Sequence, residues 1–405
     1  MAKMVSSRLL QIPESPIRKL VPYATEAIRK GIKVYYFNIG DPDIDTPEIM
    51  LEVLTNWKQK TITYSRSHGE PNLLESLKNY YNKLGHTFIN IDHLLVTLGG
   101  SEAISMAFLA TTELGDEIIT FEPFYTNYNS YAAVNGIKIV PVRTFAKDGF
   151  HLPSRQEIEK KINKKTKALL YCNPNNPTGT VYTKKEVEML VSIAKKYNLF
   201  LIADEVYREF VFDNRQHTSI LSYFNKIPNQ AILVDSLSKR YSLCGARVGV
   251  LCSLNKEIMD GAMRIAQGRL SAGLIDQLMA SKLAKVPESY FKKVHREYEN
   301  RRNVLYKGLL SIPGVSVPNP EGAFYCIVDL PVKDSEDFCK FLLTDFNLNG
   351  ETIMIAPAAG FYATKGLGNN QVRIAYVLKV EYLKKLIQIL KKALPAYNQT
   401  LKSRG

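Results

Sequence analysis

From about residue 90 to 252, short β-rich runs recur with helical patterns between them, and this rhythm constrains the fold more than any single residue. The runs are Leu94–Leu98, Glu117–Phe121, Ile137–Val142, Ala168–Cys172, Phe200–Ala203, Ile232–Asp235 and Val248–Cys252. Several are almost continuously apolar, as strands buried on both faces must be. The intervening segment Lys184–Lys196 places Val187, Leu190, Val191 and Ala194 on one stripe, the mark of a helix with one buried side. Strand–helix alternation of this kind predicts an α/β fold with a mostly parallel sheet.

Beyond residue 275 the rhythm changes. A charged helical stretch near 288–310 is followed by Ala323–Val328, Val372–Val377 and the amphipathic Val380–Leu394, which read as an α+β domain. The first forty residues hold a Pro-rich lead-in (Pro13, Pro16, Pro22), an amphipathic stretch near Ala24–Lys30, and an apolar run, Val34–Ile39, that ends in the turn Gly40-Asp41-Pro42-Asp43. So short a segment needs a partner to bury its apolar side. The expected division is residues 1–45 packing with the small domain, a large domain over 46–290, and a small domain over 291–405.

The 405 residues leave ample material for such a core, with 45% apolar and 23% charged residues. No uncharged apolar run approaches the ~18 residues that suggest a membrane span. The start carries no continuous apolar stretch, so no signal peptide is expected and a cytoplasmic location is. The five cysteines are scattered without a C-x-x-C pair, which favours neither a disulfide framework nor a zinc site. The net charge of +14 is spread along the chain, with only small clusters such as Lys160-Lys161 and Lys391-Lys392. It reads as a solvated surface, and no specific nucleic-acid partner is expected.

In a parallel α/β sheet, ligands sit beyond the carboxyl ends of the strands. Three successive strands here end in polar groups suited to one crevice: Asn173–Gly179 (N-P-N-N-P-T-G), Asp204-Glu205-Val206-Tyr207, and Ser236-Leu237-Ser238-Lys239. Earlier, Leu94–Leu98 runs into Gly99-Gly100-Ser101 at a helix start, where free backbone N–H groups and the positive dipole end favour a phosphate. Neither a Walker A motif nor G-x-G-x-x-G occurs, so a P-loop nucleotide and a standard dinucleotide site are disfavoured. Each feature alone is a common turn, cap or surface lysine; their order along successive strand ends makes the case.

With Ser236–Arg247 and Gly249 read as S-x-S-K-x-x-x-x-x-G-x-R-x-G, the chain resembles fold type I pyridoxal-phosphate (PLP) enzymes of the class I/II aminotransferase family, which includes bacterial aspartate aminotransferases. The resemblance runs from Gly40 to Arg373. It implies a mostly parallel seven-stranded large domain, a smaller α+β domain, and PLP as cofactor. By resemblance, Lys239 is the lysine that bonds PLP and moves the substrate proton, and Asp204 is the carboxylate that faces the ring nitrogen. Asn176 and Tyr207 hold the ring hydroxyl. Ser236, Ser238 and Arg247 clamp the phosphate with the backbone of Gly100, Ser101 and Glu102, and Tyr125 stacks on the ring. Tyr64 matches a tyrosine that reaches the phosphate of a neighbouring subunit, which implies a homodimer with shared sites. Arg373, with Gly40 and Asn176, matches the substrate-carboxylate site, and Tyr23 and Phe324 are open between two readings, pocket wall and core packing.

One departure stands out: Cys244-Gly245-Ala246 precedes Arg247 where many relatives have Thr-Gly-Trp. It marks a subgroup and weakens transfer of substrate identity; Cys244 itself reads as a packing thiol. The implied reaction is ping-pong transfer from an L-amino acid, aspartate first, to a 2-oxo acid, 2-oxoglutarate first. Aromatic amino acids, alanine and C–S β-lyase chemistry stay open as alternatives. A PLP-sensing regulator ranks lower, because the residues before Gly40 are too few for a winged-helix module and linker.

Overall fold

The computed structural model describes residues 5–404; the first four residues of the N-terminal segment and Gly405 lie outside it. Seven strands form the central sheet: β2 (Leu94–Leu98), β3 (Glu117–Glu122), β4 (Lys138–Arg143), β5 (Thr166–Cys172), β6 (Phe200–Asp204), β7 (Ala231–Ser236) and β8 (Val248–Cys252), after a short β1 (Lys33–Tyr36). Their spatial order is β2-β8-β7-β6-β5-β3-β4. Only β8 runs against its neighbours, pairing antiparallel with both β2 and β7. The reason is local: residues 237–247 join β7 to β8 without a crossover helix, and parallel neighbours need one.

Along β5, β6 and β7, side chains alternate between two buried faces. Leu169, Tyr171, Leu201, Ala203 and Leu233 enter the core on one side. Ala168, Leu170, Ile202, Ile232 and Val234 enter the core on the other. This explains the unbroken apolar runs, since a strand covered on both faces has no polar side. The helix Lys184–Tyr197 shows how the covering layer is set. Thr183 and Glu186 cap each other's backbone N–H groups at its start, and Asn198 ends it in the left-handed conformation. Between these ends Val187, Leu190, Val191, Ile193 and Ala194 are buried.

The smaller unit contains an antiparallel sheet of β9 (Tyr325–Asp329), β11 (Ala356–Pro357) and β12 (Gln371–Ala375), in the order β11-β12-β9. Strand β1 pairs in parallel with β10 (Glu351–Met354), Val34 opposite Thr352, so the N-terminal segment is built into this unit. Leu305 and Leu309 of the helix Glu288–Leu310 share one core with Val328, Ile374, Leu386 and Leu390. No helix among the described residues is long and apolar enough to cross a membrane.

Candidate active site

A cavity of about 700 Å³ opens at the carboxyl ends of β5, β6 and β7, between the sheet and the smaller unit. Its walls include Gly40, Gly100, Ser101, Tyr125, Asn176, Asp204, Tyr207, Ser236, Ser238, Lys239, Arg247 and Arg373. Twelve of the fourteen residues given a catalytic, cofactor or substrate-carboxylate role from the sequence therefore meet in one space.

The reversal of β8 builds one end of this space. Ser236, at the end of β7, lies opposite Gly249. Thr97, near the end of β2, lies opposite Gly249 from the other side. A Cβ on Gly249 would come within 2.3 Å of the Gly99 carbonyl carbon, so only glycine lets β8 approach the helix start Gly99–Thr111 this closely. Arg247 follows the turn Cys244–Ala246 with φ +53, and its Nη1 donates to the Cys244 carbonyl at 3.1 Å. A Cβ on Gly99, whose φ is +73, would meet Arg247 Nη2 at 2.5 Å. The guanidinium is thereby held against the first backbone amides of the helix. Ser236 Oγ donates to Ser238 Oγ at 2.9 Å beside them. Hydroxyls, a guanidinium and a helix N-terminus form an anion cradle.

Acidic side chains end the neighbouring strands, and their surroundings separate them. Burial, reinforced by the charges of Asp235 and Glu205, pushes Asp204 up to about 6 even though hydrogen bonds from Tyr128 Oη to Oδ2 (2.7 Å) and from the Val206 N–H work against it. Asp235 is equally buried, but Arg240 and Arg208 outweigh the burial and hold it below the usual carboxylate range. It pairs with Arg240 and accepts from Tyr81 at 2.8 Å. Asp235 thus serves the fold, while Asp204 is a buried anion without a cationic partner, facing the cavity.

Lys239 Nζ donates to the Gly40 carbonyl at 2.7 Å. Cys244 Sγ is 3.5 Å from that nitrogen and lines the cavity. The thiol expected to be mere packing is therefore a cavity wall. Asn176 Nδ2 donates to Tyr207 Oη at 3.5 Å, and Tyr207 shares a 3.0 Å hydrogen bond with Tyr325 Oη.

At the far end Arg373, 1% exposed, donates to Asn176 Oδ1 at 3.1 Å and to the Asn38 carbonyl. Its guanidinium lies 4.4 Å from the Tyr325 ring centroid and 4.9 Å from that of Phe361. Burial pushes its pKa down, and its Nε is buried without a partner. A desolvated cation with no carboxylate beside it is poised for a ligand anion. Gly40 belongs to this end: a Cβ there would collide with Tyr325 Oη.

Two of the fourteen stand apart. The Glu102 carboxylate accepts from Leu98 N at 2.7 Å and pairs with Arg269 at 2.9 Å, outside the cavity wall. Tyr64 is 81% exposed and lies away from the cavity of its own chain. Of the two readings of Tyr23 and Phe324, core packing holds and pocket wall does not. Phe324 is wholly buried, stacked 4.3 Å from Tyr298, and Lys340 lies over the Tyr23 ring in the smaller unit. The aromatic wall is the next residue, Tyr325; at a strand start, a step of one reverses the face. Tyr128 was also missed; it lies in the first turn of the helix Asn127–Asn135, and no motif in the sequence marks it.

The model of the family "Aminotransferase class I and II" matches residues 32–390. The aspartate aminotransferase of Thermotoga maritima is 32% identical over 382 residues, covering 94% of this chain and 96% of the relative. Among solved structures, Thermus thermophilus aspartate aminotransferase with maleate superposes with a TM-score of 0.86 at 26% identity, covering 97% of this chain and all of that one. An alanine aminotransferase from Pyrococcus furiosus gives the same TM-score at 30% identity, again covering 97% of this chain and all of the other. With the family model spanning most of its length and a relative 32% identical over 94% of it, the chain belongs to the class I and II aminotransferases.

Proposed function

We propose that this chain is a PLP-dependent aminotransferase that moves the amino group of L-aspartate to 2-oxoglutarate in two half-reactions. The observation that carries it is the single cavity holding Lys239, the unpaired Asp204, the Arg247 cradle and the unpaired Arg373. The donor set fits PLP: a phosphate suits Ser236, Ser238, Arg247 and the amides of Gly100, Ser101 and Glu102. A ring nitrogen suits Asp204, a ring hydroxyl suits Asn176 and Tyr207, and Tyr125 offers a face. Bound there, PLP would supply an electron sink for the carbon that loses its α-proton.

The chain's own residues do the rest. Asp204, pushed up by burial only to about 6 and so still mostly ionised at pH 7, favours a protonated ring nitrogen. Arg373 orients the substrate through its α-carboxylate, with Asn176 fixing the guanidinium plane. The Lys239 amine is the group that takes and returns the α-proton. Closure of the smaller unit over Arg373 would exclude water meanwhile. Exposed Tyr64 would complete the phosphate site of a second copy of the chain, making the working enzyme a cytoplasmic homodimer; sedimentation of a monomer would remove that part.

Absorbance of the PLP-loaded enzyme tests the reading. Aspartate should bleach the visible band, and 2-oxoglutarate should restore it. Bleaching by alanine alone would favour the second reading, an alanine aminotransferase, which the likeness to the P. furiosus enzyme supports. A band unmoved by either, with ammonia and pyruvate released from cystathionine, would point to β-lyase chemistry. No band after PLP addition would end the cofactor assignment. Lys239→Ala should lower turnover at least about 10³-fold while PLP binding persists weakly.

A further inference from the structure

Among the described residues four cationic side chains line the cavity: Arg18, Lys239, Arg247 and Arg373. The proposed function uses three of them. Arg18 is left over: it is exposed at the cavity wall, and Glu336 nearby in the fold is held by the adjacent Lys19 instead.

Its backbone is not loose. Arg18 N and Lys19 N both donate to the Ser15 carbonyl, at 3.0 and 2.9 Å, and Val21 N donates to the Arg18 carbonyl at 3.0 Å. Pro16 is pressed against Gly360, where a Cβ would come within 2.7 Å of its ring, and Ile17 packs on the cluster around Phe361. Lys19 pairs with Glu336 on the other side.

The tether to the carboxylate end runs through one residue. The Asn38 carbonyl accepts from Arg373, and the Asn38 side-chain amide donates to the Ile17 carbonyl at 2.6 Å. Arg18 is thus carried into the cavity on the peptide that follows this bond. A fixed backbone and an exposed guanidinium at the end where Arg373 sits make a second anion receptor.

We propose that Arg18 is a specificity-determining residue that receives the second carboxylate of a dicarboxylic amino acid or oxo acid whose α-carboxylate sits on Arg373. The assignment rests on the reading of Arg373 given above and selects dicarboxylic over neutral substrates. A planar guanidinium suits this role because it can meet a carboxylate with two parallel hydrogen bonds.

Calorimetric binding of succinate and of butyrate to the PLP-loaded enzyme tests it without turnover, since the two differ by one carboxylate. Succinate should bind at least about tenfold more tightly. Arg18→Gln should remove that preference and leave the butyrate Kd unchanged, and Arg18→Lys should restore part of it. An enzyme without the preference overturns the proposal, as does an Arg18→Gln variant that keeps it or loses affinity for both ligands equally. If the preference depends on Arg18 but aspartate leaves the visible band untouched, Arg18 stands and the aspartate donor falls.

Discussion

The two ends of the cavity are built in opposite ways. The phosphate end is made by chain neighbours: Ser236 ends β7, and Ser238, Lys239 and Arg247 lie in the connection that follows it to β8, closed by Gly99–Ser101 of the adjoining strand end. The carboxylate end is assembled from segments far apart in sequence: Asn38 and Gly40, Asn176, Tyr325 and Arg373. Hydrogen bonds within one sheet fix the first end. The second depends on how the smaller unit and the N-terminal segment dock. A cofactor site can therefore be carried rigidly by the sheet, while the substrate site is set by the docked parts and can change with them.

Two arginine substitutions would separate these roles. Arg373→Gln should cut kcat/KM for every amino acid by about a hundredfold, because the substrate loses a charge-assisted and desolvated partner. PLP affinity should change by less than about threefold, since no phosphate-cradle residue touches Arg373 and only Asn176 links it to the ring-hydroxyl site. Arg247→Gln should do the converse, weakening PLP binding by about tenfold or more while the aspartate KM of PLP-saturated enzyme stays within about threefold. Steady-state kinetics and PLP titration on both variants read this out. If either change moved both quantities together, the two ends would not be independent.

The same contrast explains what the sequence made legible. Lys239, Asp204, Ser236, Ser238 and Arg247 could be read because each follows a strand whose apolar run is unmistakable, and strand ends share a rim. The direction of β8 was not legible, because an apolar run carries no sense of direction; only the missing crossover helix hints at it. Tyr325 was missed for Phe324 because the two sit at a strand start, where one residue of register decides which ring meets the cavity. Arg18 and Asn38 carry no motif at all. They matter through a hydrogen bond between segments, which only the folded chain brings about.

Between the two ends lies Asp204, whose burial should set function against stability. Its carboxyl is ordinary in the unfolded chain and is pushed up to about 6 in the fold by desolvation. For a carboxyl, a raised folded value means that the fold is penalised as pH rises through the unfolded value, and the full penalty is present above about 6. At pH 7 this is on the order of 2–3 kcal/mol. Asp204→Asn should therefore raise the urea midpoint of cofactor-free protein at pH 7, with the gain fading towards pH 4, while turnover of the loaded enzyme collapses. A variant no more stable than the parent at pH 7 would show that the buried carboxylate is better solvated than its contacts indicate.

The smallest effect should fall on the joint between the sheet and the docked parts. His151 Nδ1 is 3.0 Å from Glu186 Oε2, and its Nε2 is 3.4 Å from Glu321 Oε2. Glu321 also accepts from Val181 N at 3.0 Å and pairs with Arg215 at 2.7 Å. The N–H groups of Glu321 and Gly322 both donate to the Gly179 carbonyl at 2.8 Å. This knot ties the Asn173–Gly179 loop to the segment that leads into Tyr325. Hydrogen bonds to Glu186 and then Glu321 push His151 up to about 10, against the opposing effect of burial. For a histidine raised in this way, the stabilisation is complete below its unfolded value near 6.5 and is lost as pH climbs towards 10. The side chain is 28% exposed, so solvent screening reduces the effect to about 1 kcal/mol. Between pH 6 and 10 the parent should lose about that much more unfolding free energy than His151→Gln. The aspartate KM should rise slightly in the variant, because the knot holds the carboxylate end, and PLP affinity should stay fixed. Equal pH dependence in both proteins would detach His151 from the joint, and a weakened PLP affinity would mean the phosphate end leans on the docked parts after all.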